Sequence, residues 1–119
     1  SNMIPCCVDQ AENGCGIVTM AGASAASAQL TGQAKGDDGW LFVRPEHIDI
    51  DPMPTSSGAP NSLAGVVETA LFLGEMTRYH IRCGDETIIV KRQNRGQPHF
   101  TGGTPVTVSW KAEDCVMLD

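Results

Sequence analysis

The stretch "RYHIRCGDETIIVK", Arg78 to Lys91, carries the pattern that decides the fold. Tyr79, Ile81 and Cys83 alternate with Arg78, His80 and Arg82, and a period of two marks a strand with one dry face and one wet face. Gly84-Asp85 supplies a turn, and Thr87 to Lys91 returns with Ile88 and Val90 set against Ile89. The predicted unit is a β-hairpin. On its wet side Arg78, His80 and Arg82 form a basic, exposed strip, which makes them a candidate interaction face.

The chain on either side reads the same way. Leu63 to Leu73 is one long strand or a bent pair, with Gly65 and Gly74 as bulge or turn points. "RQNRGQPHFTGGTP" is a long loop, or a loop holding a short helix. Val106, Val108 and Trp110 alternate with Thr107 and Ser109, and Cys115 to Leu118 supplies a last strand. Toward the N-terminus, two short strands flank Asn13-Gly14, a pair that favours the positive φ angles of a tight hairpin. A weak third strand is expected near Ala28 to Leu30, followed by a polar turn at Lys35 to Gly39. Between the two blocks stands "WLFVRPEHIDIDP", Trp40 to Pro52. Its first four residues are all apolar and are expected to be buried throughout. Pro45 lacks an N–H and must end the ladder there. Ile48 and Ile50 against Asp49 and Asp51 resume a half-buried strand, and Pro52 to Ser62 reads as a loop. Short strands at spacings of about 8–12 residues indicate an all-β barrel or sandwich.

Composition bounds the function. The 119 residues suffice for one domain, and 13 Gly with 7 Pro suit a turn-rich β construction. No apolar window of about 18 residues is present, and no charged-then-apolar leader opens the chain. Ser1 to Met3 is expected to be a remnant of tag removal. A net charge of −6 argues against a phosphate backbone as partner, and 5% aromatic residues is thin for stacking on bases. No nucleic acid is expected. The five cysteines show no Cys-x-x-Cys spacing and are expected to be free thiols in a reducing compartment.

Reactive constellations are sparse. His47, His80 and His99 form no His-x-His pair, and His80 lies between two arginines that would repel a cation. Neither a Gly-x-Ser-x-Gly elbow nor a glycine-rich phosphate loop ending in Lys-Ser or Lys-Thr occurs. Asp37-Asp38 and Asp49/Asp51 read as a solvated turn and a solvated strand face. No catalytic residue, metal ligand or cofactor-binding residue is expected in this chain.

The ordered set Val43-Arg44-Pro45-Glu46, Gly65-Val66-Val67, Phe72-Leu73-Gly74, Tyr79 to Cys83, and Gly103-Thr104-Pro105-Val106 resembles a known pattern. It is that of the transport-associated OB (TOBE) domain, the C-terminal regulatory domain of importer-type ABC transporter ATPases, in its polyamine, iron or phosphonate branch. The resemblance implies a small OB-type β-barrel of five or more short antiparallel strands over residues 40–119. Residues 4–39 would add a strand pair and an Ala/Ser/Gly-rich segment packed on it. Arg44, Pro45, Glu46, Gly65, Gly74 and Gly103 are then structural motif positions. The resemblance also implies a non-catalytic role, with ATP and Mg held by a nucleotide-binding domain outside this chain. The implied partners are that domain, a second copy of the subunit, and membrane permease subunits, on the cytoplasmic side of the inner membrane. An oxyanion-binding module of the same fold is the alternative, with Asn61-Ser62-Leu63 and Lys111 as part of an anion site between subunits. An OB-type nucleic-acid binder is the third reading, disfavoured by charge.

Overall fold

A computed structural model describes residues 2–20, 24–53 and 61–119. Its strands are β1 (Asn2–Glu12), β2 (Cys15–Met20), β3 (Ala25–Gln29), β4 (Asp38–Val43), β5 (Asp49–Pro52), β6 (Asn61–Leu73), β7 (Met76–Cys83), β8 (Glu86–Gln93), β9 (Pro105–Trp110) and β10 (Cys115–Leu118). Two short 3-10 turns, η1 (Pro45–His47) and η2 (Ala112–Asp114), precede β5 and β10. No α-helix occurs among the described residues. The segment 93–104 carries no helix and closes as a loop between β8 and β9.

Local chemistry accounts for most of these elements. Asn13 and Gly14 take φ of 52° and 77°, the geometry of a two-residue hairpin turn that matches strand twist. In β7, Thr77, Tyr79, Ile81 and Cys83 are buried while Met76, Arg78, His80 and Arg82 point outward. Two expectations need correction. Trp40 to Val43 is not buried throughout: Leu41 and Val43 are, but Trp40 is 44% exposed, because β4 is a barrel wall with an outer side. The irregularity in β6 falls between Val67 and Thr69 rather than at Gly65. Gly65 instead lets β7 approach closely, since a Cβ there would stand 2.7 Å from both Cys83 Sγ and Ile81 Cγ2. The loop expected over Pro52 to Ser62 falls mostly outside the described residues, and Pro52 and Asn61 belong to β5 and β6.

The strands form a closed barrel in the order β1-β2-β3-β10-β4 and a five-stranded sheet in the order β5-β9-β6-β7-β8. This changes the expected division at residue 40. The N-terminal strands are not an addition to the barrel but three of its walls. Residues 38–43 and 115–118 complete it, while the strands between them build the second sheet. Met3, expected with Ser1 and Asn2 as a remnant, pairs with Phe42 inside β1.

The two halves repeat one plan. In each, a long strand with one irregularity leads a hairpin and a third strand, then a fourth strand, a 3-10 turn and a short last strand. The irregularities lie at Val8/Gln10 and Val67/Thr69. Beside each, a loop donates and accepts in the same way: Gly36 N–H bonds Val8 O at 2.8 Å, and Gly103 N–H bonds Val67 O at 2.7 Å. Both glycines are left-handed, with φ of 93° and 89°. The last strands are exchanged. β5 leaves the first half to pair antiparallel with β9, Asp49 facing Ser109, and β10 leaves the second half to pair with β4, Val116 facing Phe42. One contiguous apolar core runs through both halves, with Trp110, Tyr79, Leu41, Met117, Ile4 and Ile81 among its largest wholly buried members. Burying side chains of this kind is worth about 1.5–3 kcal/mol each, which is the main force holding the exchange in place.

Candidate functional site

The exchange makes the crossing between the halves the most constrained part of the molecule. Arg44 precedes η1 with extended backbone and an exposed side chain that makes no capping hydrogen bond. Pro45 is buried at the first position of η1, where its missing N–H would have had no helical partner anyway. Glu46 is exposed, and its carboxyl is held below the usual range, first by a hydrogen bond from its own backbone N–H and then by Arg44, His47 and Lys91. Lys111 and η2 occupy the matching place in the other half. The ends of the two turns meet: His47 Nδ1 lies 3.7 Å from Asp114 Oδ1. Equivalent residues of a two-fold repeat can only meet on its axis, so this contact locates the axis.

Two asparagines lock the exchange from inside. Asn2, 4% exposed at the start of β1, donates from Nδ2 to Ile89 O at 2.8 Å and accepts from Ile89 N–H at 2.7 Å. Asn61, wholly buried at the start of β6, donates to Ser27 O at 2.9 Å and accepts from Ser27 N–H at 2.7 Å. Each side-chain amide thus behaves as one more strand residue, pairing with the backbone of the other half's third strand. Asn61 was read from the sequence only as a neighbour of an anion site, and Asn2 only as tag. The signal that finds them is the match of "NMIPCCVD", residues 2–9, to "NSLAGVVE", residues 61–68, which sets Asn2 against Asn61 and Val8 against Val67. With both ends of its amide committed, Asn61 has nothing left to hold an anion beside the exposed Lys111.

The remaining expected positions scatter. Gly74 and Gly103 are left-handed turn residues with φ of 74° and 89°. Arg78 and His80 are half-buried and Arg82 exposed on the outer side of β7, where Arg82 Nε donates to Gly84 O. His47 sits on the axis, His80 on the outer sheet face, and His99 packs edge-on against Phe72 with centroids 4.9 Å apart. No group of metal-ligating side chains gathers among the described residues. Cys6, Cys83 and Cys115 are buried thiols whose pKa burial pushes up to about 11, so they are almost entirely protonated and unreactive near neutrality. All five cysteines are free. A groove of about 630 Å³ runs between β5 and β8, with Glu46, Asp49 and Asp51 on one lip and Lys91, Arg92 and Arg95 on the other. A second, of about 790 Å³, lies in the equivalent place beside η2, lined by residues including Cys15, Gln29, Lys35 and Glu113.

Comparison with known proteins agrees with the geometry. A model of the TOBE domain family matches residues 41–118. The spermidine/putrescine import ATP-binding protein PotA of Chromobacterium violaceum is 27% identical over 86 residues, covering 69% of this chain and 24% of its own. That of Nitrosomonas europaea is 29% identical over 87 residues, covering 70% and 24%. The chain therefore spans about a quarter of the length of these curated relatives. Among solved structures, the cytoplasmic molybdate-binding protein ModG, in a crystal form with molybdate bound, superposes with a TM-score of 0.82. That match covers 98% of this chain and 94% of ModG at 16% identity, which speaks for the fold alone.

Proposed function

Because the chain belongs to the TOBE domain family, we propose that it serves as the non-catalytic accessory and regulatory domain of an importer-type ABC ATPase subunit. The observation that carries this reading is the family match over residues 41–118, supported by the alignment of 69–70% of the chain with two polyamine-importer ATP-binding proteins. In this role the domain extends a nucleotide-binding domain that holds ATP and Mg, supports pairing with a second copy, and acts at the cytoplasmic face with permease subunits. The solute is of the polyamine, iron or phosphonate kind. A closed barrel and a five-stranded sheet sharing one core, with no metal-ligating cluster among the described residues, suit a part that transmits position rather than performs chemistry.

The test is the reading frame upstream of Met3 in the source genome. A nucleotide-binding domain joined in frame is the expected finding; a separate start at Met3 overturns the proposal. A second reading, an oxyanion-binding module, is favoured by one observation, the superposition of almost the whole chain on ModG. Calorimetry with molybdate, sulfate and spermidine decides it, and saturable micromolar binding of an oxyanion would favour the module.

A further inference from the structure

The internal repeat provides a control that most folds lack: one plan built twice, with different side chains on its outer faces. On the second sheet the outward positions are Ala64, Val66, Thr69, Leu71 and Leu73 of β6, Met76, Arg78, His80 and Arg82 of β7, and Thr87, Ile89, Lys91 and Gln93 of β8. No acidic residue stands at these paired positions; exposed Glu68 occupies the irregularity between Val67 and Thr69, and Glu75 and Asp85 lie in the turns at the ends of β7. Arg78 faces Lys91 directly across β7 and β8, a like-charge pairing that disfavours the sheet. The one ion pair among the described residues, His47 with Asp114, lies elsewhere. Arg78 Nε and His80 Nε2 are themselves buried without a hydrogen-bond partner, so a docked carboxylate would meet the terminal guanidinium nitrogens of Arg78 and Arg82 and the Lys91 ammonium. Between the cations run apolar side chains: Val66 is 42%, Leu71 37% and Leu73 55% exposed.

The matching face of the barrel bears no cation. Its outward residues include Met3, Pro5 and Cys7 of β1, Ile17 and Thr19 of β2, and Ala25, Ser27 and Gln29 of β3. The fold is complete there without arginine or lysine, so the cations of the second face are not needed to build it. We propose that the outer face of β6-β7-β8, with the cations Arg78, Arg82 and Lys91 and the imidazole of His80 set among Val66, Leu71 and Ile89, is a docking surface for an acidic, amphipathic segment of a partner protein. Carboxylates of such a segment would neutralise the Arg78/Lys91 pair while its apolar side chains cover Val66 and Leu71; arginine is among the residues enriched at protein interfaces. A second copy docked face to face would set the same cations against each other. No outward aromatic residue is present on this face to anchor in a lipid headgroup layer, so a membrane fits it less well. The inference concerns the face alone and does not depend on which parent carries the domain.

The test titrates the isotope-labelled protein with a synthetic peptide of glutamates and leucines in amphipathic order. The same peptide with lysine for glutamate, vesicles containing phosphatidylserine, and a short DNA duplex are run beside it. Amide shifts are expected at Val66, Thr69, Leu71, Arg78, His80, Arg82, Ile89 and Lys91, with affinity falling about tenfold or more between ~0.05 and ~0.5 M salt. Arg78→Glu combined with Lys91→Glu should abolish binding, and Arg78→Gln with Lys91→Gln should weaken it. Thermal melting of both variants should be unchanged or raised. The proposal is overturned if the acidic peptide does not bind, if shifts map elsewhere, or if the charge-reversed protein binds equally. Tighter binding of vesicles, DNA or the lysine peptide overturns it too.

Discussion

Replacing Asn61 with alanine tests the interlocked architecture most directly. The side chain is wholly buried, accepts from Ser27 N–H at 2.7 Å, and donates to Ser27 O at 2.9 Å and to Cys115 Sγ at 3.6 Å. In Asn61→Ala the Ser27 carbonyl keeps the Cys115 thiol as donor at 3.2 Å, but the Ser27 N–H is left without a partner. A lost hydrogen bond costs about 1 kcal/mol and an orphaned buried donor about 1–3 kcal/mol, so the sum is about 3 kcal/mol. For a domain of this size each kcal/mol moves the melting midpoint by about 4 °C, giving a fall of roughly 12 °C. Asn2→Ala should fall by a comparable amount, because Ile89 and Ser27 are both half-buried and each loses the same pair of amide hydrogen bonds. Calorimetric melting with hydrogen exchange at the Ser27 amide measures both effects. An Asn61→Ala midpoint within about 3 °C of the parent, or a Ser27 amide still protected, would refute the clamp.

Gly39→Ala should loosen β10 from the barrel, because an added Cβ would overlap Leu118 O and come 2.8 Å from Met117 Cε. The expected cost is about 1–3 kcal/mol, read as faster exchange at Cys115 to Leu118 before global unfolding. Gly65→Ala should cost a similar amount through Cys83 and Ile81, but without selective loss at β10. Stability should fall in alkali: burial raises the Cys6, Cys83 and Cys115 thiols from 9.0 to about 11, so the unfolded chain ionises first. That stability is whole below pH 9 and is lost as pH rises to about 11, at about 3 kcal/mol per thiol. Denaturant titrations from pH 8 to 11 should show the slope, and Cys83→Val should flatten it by about a third. Glu46→Gln should shift the midpoint by no more than about 2 °C, since the carboxylate is exposed and its partners are screened.

Local pattern made much of this molecule legible. The alternation from Arg78 to Lys91 gave both the β7-β8 hairpin and its dry face, and Asn13-Gly14 gave the first turn. Pro45 marked the end of β4, and the ordered motifs pointed to the family. The strip Arg78, His80 and Arg82 was visible as a row of cations. Its neighbours Val66, Leu71, Ile89 and Lys91 were not, since they reach the same face only through the pairing of β6, β7 and β8. Trp40 misled because four apolar residues in a row look alike whether a strand is covered on one side or two.

What the sequence alone determined is therefore the strand content, the hairpins and the sidedness of the strands whose apolar and polar residues alternate, all set by neighbours a few residues apart. Tertiary structure alone decided the partners. β5 and β10 are four residues each, and their alternation fits the fourth strand of either half equally well. The exchange depends on the backbone amides of Ile89 and Ser27 meeting Asn2 and Asn61, 87 and 34 residues away in the chain. A period-two pattern records which side of a strand is dry but not which strand lies beside it, and that choice belongs to the packed core.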